Sequence, residues 1–275
     1  MTYATLMVQL ELGSSNKKIL QFTGELAERF RSDVIGIAAC QSMQAYVSNS
    51  YVPSNFIEQV RRQVKESIGA AEAEFRDALG TSIPNVDWSS TSTLGSLSHY
   101  VAAEARAADI LITGVPSGDF LSPSRYIDLN DLVMKVGRPV FIVPSSENKL
   151  NLSQVLIAWK DTRETRRAVS DALPLLQRAD KVTIVEIVDE TQLTASRMRL
   201  EDVCIWLSRH GIVADTRVEV SSKDGTARLA EVADELRAGV IVGGAFGHSR
   251  AREWALGGVT RDLLLRGKRC SVVSH

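Results

Sequence analysis

One internal repetition limits what this chain can become more than any other feature. Asp109-Ile110-Leu111-Ile112-Thr113-Gly114 is matched by Gly239-Val240-Ile241-Val242-Gly243-Gly244, and Gly137-Arg138-Pro139-Val140 by Gly267-Lys268-Arg269-Cys270. Residue 109 answers to 239 and residue 137 to 267, the same displacement, so the segments align without a gap between them. A chain that repeats itself in this way is built from two related halves.

Each half reads as strands alternating with helices. In the first, residues 6–10, 34–38, 86–91, 110–112 and 139–143 are apolar or β-prone runs, and residues 16–31, 56–79, 97–107 and 129–135 carry apolar side chains at helical spacing. Residues 41–55 are polar and contain Pro53, which predicts a long loop. In the second half the strands fall at 155–159, 182–188, 213–220, 240–242 and 270–273, and the helices at 162–176, 195–209, 227–237 and 259–266. Asp161 is expected to cap the helix at 162–176 with Glu164 reaching back, and Pro174 to kink it. Strands joined through helices call for parallel pairing with right-handed crossovers. The reading is therefore α/β, with one domain at 1–146, a polar linker, and a second at 150–275.

The 275 residues are 44% hydrophobic and 24% charged with a net charge of -1, which suits two modest globular domains. Near-neutral charge argues against nucleic acid or an anionic membrane as partner. Met1 to Leu12 has no basic leader pattern, and no apolar run approaches the roughly 18 residues of a membrane span. Cys40, Cys204 and Cys270 are widely spaced and read as reduced thiols of a cytoplasmic protein. His99, His210, His248 and His275 form no ligand pair, so no metal site is expected.

The chemistry concentrates after the run Val240-Ile241-Val242. Gly243-Gly244-Ala245-Phe246-Gly247-His248-Ser249-Arg250 is followed by Gly257-Gly258-Val259-Thr260 and a short helical run. Glycines let a backbone approach a ligand closely, and the free N–H groups of a helix start attract an anion such as phosphate. The bland reading is that these glycines only turn the chain. Gly244, Gly247 and Gly257 fall as G-x2-G-x9-G. This spacing, the two αβ halves, Val155-Leu156-Ile157-Ala158-Trp159 leading into Asp161-Thr162-Arg163-Glu164, and Ala172-Leu173-Pro174-Leu175-Leu176 together resemble the universal stress protein family, over essentially the whole chain. The resemblance implies two Rossmann-like domains of the adenine nucleotide alpha hydrolase-like type, each with a mostly parallel five-stranded sheet flanked by helices. It also implies that their last strands pair antiparallel, as an intramolecular pseudo-dimer. Whether chains pair further as a homodimer stays open.

Carried over by motif, the resemblance places an adenine nucleotide, ATP or AMP with or without Mg, against Lys160, Asp161, Ile187, Gly244, Gly247, His248, Ser249, Gly257, Gly258, Val259 and Thr260. Two departures stand out: Gly258 occupies the position where the family usually has Ser or Thr, with Thr260 the nearest hydroxyl, and Lys160 replaces an Asp. Lys160 either attracts phosphate or points to solvent; Ile187 either frames the adenine or is sheet core; His248 either donates to phosphate or is exposed. Opposite Gly244, Gly247, Gly257 and Gly258 the first half has Gly114, Ser117, Ile127 and Asp128. Ile127 blocks close backbone approach, and Asp128 either repels a polyphosphate or simply caps a helix. The expectation is a stress-response protein whose second domain binds the nucleotide for a sensory or regulatory purpose. At most slow ATP hydrolysis is expected, since no Walker-type G-x4-G-K-[ST] sequence is present. The alternative is a module with both loops degenerate that binds a protein partner or a small ligand.

Overall fold

The computed structural model describes residues 2–41, 54–115, 127–147, 149–221, 225–245 and 269–275. The chain divides into two compact units, Tyr3–Arg138 and Pro139–His275 with Met1–Thr2.

In the first unit β1 (Thr5–Gln9), β2 (Asp33–Gln41), β3 (Val86–Thr93) and β4 (Ile110–Gly114) lie in the order β3-β2-β1-β4, and the pairings β1–β2, β1–β4 and β2–β3 are parallel. The helices are α1 (Lys17–Phe30), α2 (Ser54–Leu79), α3 (Leu97–Glu104) and α4 (Leu129–Val136). Of Ile19, Phe22, Leu26 and Phe30, which recur at helical spacing, α1 buries the last three together with Leu20, while Ile19 is half-buried. The expected helix at 97–107 is α3 closed by a 3-10 turn at Ala105–Ala107. Asp128 caps α4, its carboxylate accepting from the Asn130 N–H at 2.9 Å, and α4 ends at Gly137 with φ 61°. Of the two readings of Asp128, the cap is the one observed.

In the second unit β5 (Val140–Val143), β6 (Val155–Trp159), β7 (Val182–Val188), β8 (Ala214–Val220), β9 (Val240–Gly244) and β10 (Cys270–Ser274) follow the order β5-β10-β9-β6-β7-β8. All pairings are parallel except β5–β10, which is antiparallel with Ser271 opposite Ile142 and Val273 opposite Val140. That pairing places β5, the last strand of the first sequence half, in the second compact unit. The units and the sequence halves are thus different divisions of the chain. The helices are α5 (Arg163–Asp171), α6 (Leu173–Leu176), α7 (Leu193–Arg209) and α8 (Gly225–Glu235). The helix expected at 162–176 is two pieces divided at Ala172, with Pro174 in the first turn of α6, where its missing N–H breaks no helical bond. No helix among the described residues is long and apolar enough to cross a membrane.

β10 is buried along its whole length, and Val272 and Val273 are fully buried with Phe141 and Val140 of β5. β8 carries charge instead: Arg217 and Arg228 bridge Glu219 and Glu235, with Glu231 bonded to Arg228. The thiols follow the same division. Cys270 is 2% exposed, and burial, with Glu147 nearby, pushes it up to about 12. Burial, then Asp215 and Glu201, also raises the partly exposed Cys204.

The reactive species is the thiolate, so a raised pKa and burial both slow alkylation. At pH 8 iodoacetamide is expected to modify Cys204 in the native protein and leave Cys270 untouched until denaturant is added. Peptide mass mapping of a labelling time course checks this; equal native rates at the two positions would contradict a buried β10.

Candidate functional site

In an open α/β sheet the ligand crevice lies beyond the carboxyl ends of the strands, where the winding reverses. The chain runs from β6 outward to β7 and β8 and then returns to the other side of β6 as β9. The reversal therefore falls between β6 and β9. Its rim is formed by Ala158, Trp159 and Lys160 on one strand end and Gly243, Gly244 and Ala245 on the other. The first unit reverses in the same way between β1 and β4.

The ladders allow the two crevices to be compared position by position. Leu6 pairs with Ile110 as Val155 pairs with Val240. Gln9 therefore answers to Ala158, Leu10 to Trp159, Glu11 to Lys160, Thr113 to Gly243 and Gly114 to Gly244. In the first unit the crevice is filled. Gln9 is 8% exposed, its Oε1 accepts from Thr113 Oγ1 at 2.9 Å, and its Nε2 donates to the Leu10 carbonyl at 3.0 Å. In the second unit the same two positions are Ala158 and Gly243, neither of which has a side chain able to make that hydrogen bond.

The two helix starts differ as well. α1 begins after a loop whose Asn16 N–H donates to both oxygens of Glu74 at 3.0 Å, while Ser15 Oγ and Asn16 Nδ2 donate to the same carboxylate. A side chain of α2 thus already supplies the negative group that a helix N-terminus attracts. At α5 the cap is Thr162, whose hydroxyl accepts from the Thr165 N–H at 3.3 Å. Asp161 is not the cap: it is exposed and pairs with Arg166 at 3.7 Å. Thr162 takes the role because the turn closes one residue later, with the Thr162 N–H on the Lys160 carbonyl at 2.6 Å. Glu164 does not reach back to the cap residue's backbone; it is buried and bonded to Arg163. Burial pushes its carboxyl up, but the Arg163 guanidinium, its own N–H and the Thr162 hydroxyl outweigh that and hold it below the usual range. Residues 160–167, with Lys160, Arg163, Arg166 and Arg167 against Asp161 and Glu164, carry a net positive charge at a helix start, where the helix dipole disfavours cations. Ion pairs of Arg163, Arg166 and Arg167 with Glu164, Asp161 and Asp171 offset part of that charge.

Gly244 is held for packing. A Cβ there would lie 2.5 Å from the Thr165 nitrogen and 2.7 Å from the Glu164 carbonyl carbon. Ile187 is half-buried at the end of β7, on the side of Gly225, the first residue of α8. The structure thus brings Lys160, Asp161 and Gly244 to one strand end, with Ile187 on the neighbouring strand. Gly247, His248, Ser249, Gly257, Gly258, Val259 and Thr260 lie outside the described residues, as does Ser117. No group of three or more metal-ligating side chains occurs among the described residues.

Sequence reading missed a polar cluster on the same rim. Glu186, 4% exposed, is the ladder partner of Trp159; Ser196 Oγ donates to it at 2.5 Å and Arg199 Nη2 at 3.1 Å. The one available signal was a glutamate inside the otherwise apolar run Val182-Thr183-Ile184-Val185-Glu186-Ile187-Val188.

With that geometry established, known structures can be compared. A universal stress protein of Archaeoglobus fulgidus aligns over 98% of this chain and 95% of its own, with a TM-score of 0.74 and 14% identity. The fold is the universal stress protein fold. A functionally unknown protein from Pseudomonas aeruginosa covers 99% of this chain and 92% of its own, with a TM-score of 0.62 and 14% identity. No protein-family model matches the sequence, and no curated protein matches it. Among the described residues, Gln9 and Thr113 bond to each other in the first crevice, and Ala158 and Gly243 stand at those positions in the second.

Gly244→Ala forces its methyl into the backbone of α5, which cannot swing aside as a side chain can. The substitution is expected to cost about 2–3 kcal/mol of stability, read as the shift in a urea unfolding midpoint. A neutral result would mean that α5 does not sit against β9.

Proposed function

We propose that this protein binds an adenine nucleotide, ATP or AMP, at the crevice between β6 and β9, and that the bound state serves a sensory or regulatory role in a stress response. The observation that carries the reading is the contrast at equivalent positions. Ala158 and Gly243 stand where Gln9 and Thr113 bond to each other, and Lys160 stands where the first unit has Glu11. The residues present fit such a ligand. Lys160, Arg163 and Arg166 supply charge for phosphate oxygens, and the G-x2-G-x9-G sequence is continuous with β9. Asp161, Ile187, Gly247, His248, Ser249, Gly257, Gly258, Val259 and Thr260 complete the proposed contact set. Mg, if bound with a triphosphate, would supply positive charge to offset its phosphates. Regulation is favoured over turnover because no carboxylate of the proposed site is assigned to orient an attacking water. Cytoplasmic location and action through a further protein partner belong to the same proposal.

Calorimetric titration with Mg-ATP and with AMP tests it. One site per chain is expected, lost in Gly257→Asp, and Lys160→Glu is expected to weaken binding about tenfold, the weight of one charge-assisted contact. Two sites would show that the first crevice is not closed by Gln9 and Thr113. Absence of binding by the parent chain would remove the nucleotide reading.

A further inference from the structure

The polar cluster on the α7 side of the second unit is not used by the nucleotide reading and does not depend on it. Its setting is unusual. By ladder register the first unit places Leu10 and Ala38, both buried and apolar, where the second has Trp159 and Glu186. Two donors there lack a hydrogen-bond partner among the described residues: Trp159 Nε1, on a side chain 8% exposed, and Arg199 Nε, both atoms being buried. Trp159 is paired with Glu186 across the ladder, so the two side chains leave the same face of the sheet side by side. Arg199 reaches the same carboxylate from α7 with Nη2, leaving Nε on the adjoining edge of the guanidinium. Buried donors are nearly always satisfied.

We propose that Trp159, Glu186 and Arg199 form a subsite for a hydroxyl oxygen. An atom that meets both N–H groups must offer two lone pairs. The Glu186 carboxylate receives two hydrogen bonds, from Ser196 and Arg199, and has about four acceptor positions, so it can also accept a hydrogen bond from the incoming group. An oxygen that accepts twice and donates once meets all three demands. A phosphate or carboxylate does not, because the Arg199 charge is already answered by Glu186 and a second anion would face that carboxylate. A buried water and the hydroxyl of a bound sugar or polyol supply the same chemistry. The position at the carboxyl ends of β6 and β7 makes it reachable for a ligand seated on that rim.

The test is a high-resolution crystal structure of the full chain, without and with D-ribose, together with NMR of the four tryptophan indole N–H groups; Trp159 is assigned with Trp159→Phe. One oxygen bridging Trp159 Nε1 and Arg199 Nε is expected. If it comes from a ligand, ribose displaces it, the Trp159 resonance titrates, and Trp159→Phe weakens ribose binding about tenfold. If it is structural water, it persists in both crystals and the resonance stays fixed. The proposal is overturned if no oxygen joins the two donors in either crystal, or if inorganic phosphate rather than ribose moves the Trp159 resonance. The crystal arm needs no variant, so a Trp159→Phe chain that fails to fold does not spare the proposal. Since neither ribose nor the indole reports on phosphate binding, a failed nucleotide titration leaves this result standing.

Discussion

Helix α5 lies so close to the end of β9 that only hydrogen fits at position 244. That contact fixes much of what surrounds it. It brings the first turn of α5, capped by Thr162, to the rim where the winding of the second unit reverses. Packing and chemistry are not competing explanations of this glycine: the packing places the helix start where an anion would be felt.

The two crevices are best understood as one geometry with opposite fillings. A parallel ladder gives equivalent positions the same surroundings, so differences between them are differences of side chain alone. In the first unit an amide and a hydroxyl satisfy each other, and a carboxylate from α2 settles on the helix start. In the second, the described residues at those positions are the small Ala158 and Gly243, beside a segment rich in cations paired with Glu164, Asp161 and Asp171. Cations gathered at a helix N-terminus oppose the helix dipole even when paired with neighbouring carboxylates, and an anion bound there offsets that opposition. The Glu186 cluster works in the same sense at shorter range, since each buried donor without a partner costs about 1–3 kcal/mol.

Much of the fold was legible because its signals are local. The apolar runs at 155–159 and 182–188 coincide with β6 and β7, and Phe22, Leu26 and Phe30, spaced at four residues, lie on the buried face of α1. Adjacent choices were harder. Asp161 and Thr162 are both good caps, and which one closes the turn depends on a backbone bond from residue 162 to residue 160. The break at Ala172 shows a proline tolerated at a helix start where the sequence suggested a kink within one helix. At the site, residues next to each other in the motif could be named, but the pairings Gln9 with Thr113 and Trp159 with Glu186 depend on ladder register. Register is a property of the assembled sheet, and no local spacing encodes it.

The loop between β1 and α1 carries a further consequence. Its anchor, Glu74, lies 58 residues beyond Asn16, on the far side of a strand and most of a long helix. During synthesis the loop therefore leaves the ribosome well before the carboxylate that holds it, and its closing hydrogen bonds form only once α2 has docked. Order in this short turn is a late product of assembly, although every residue of the turn itself belongs to the first stretch of chain to be made.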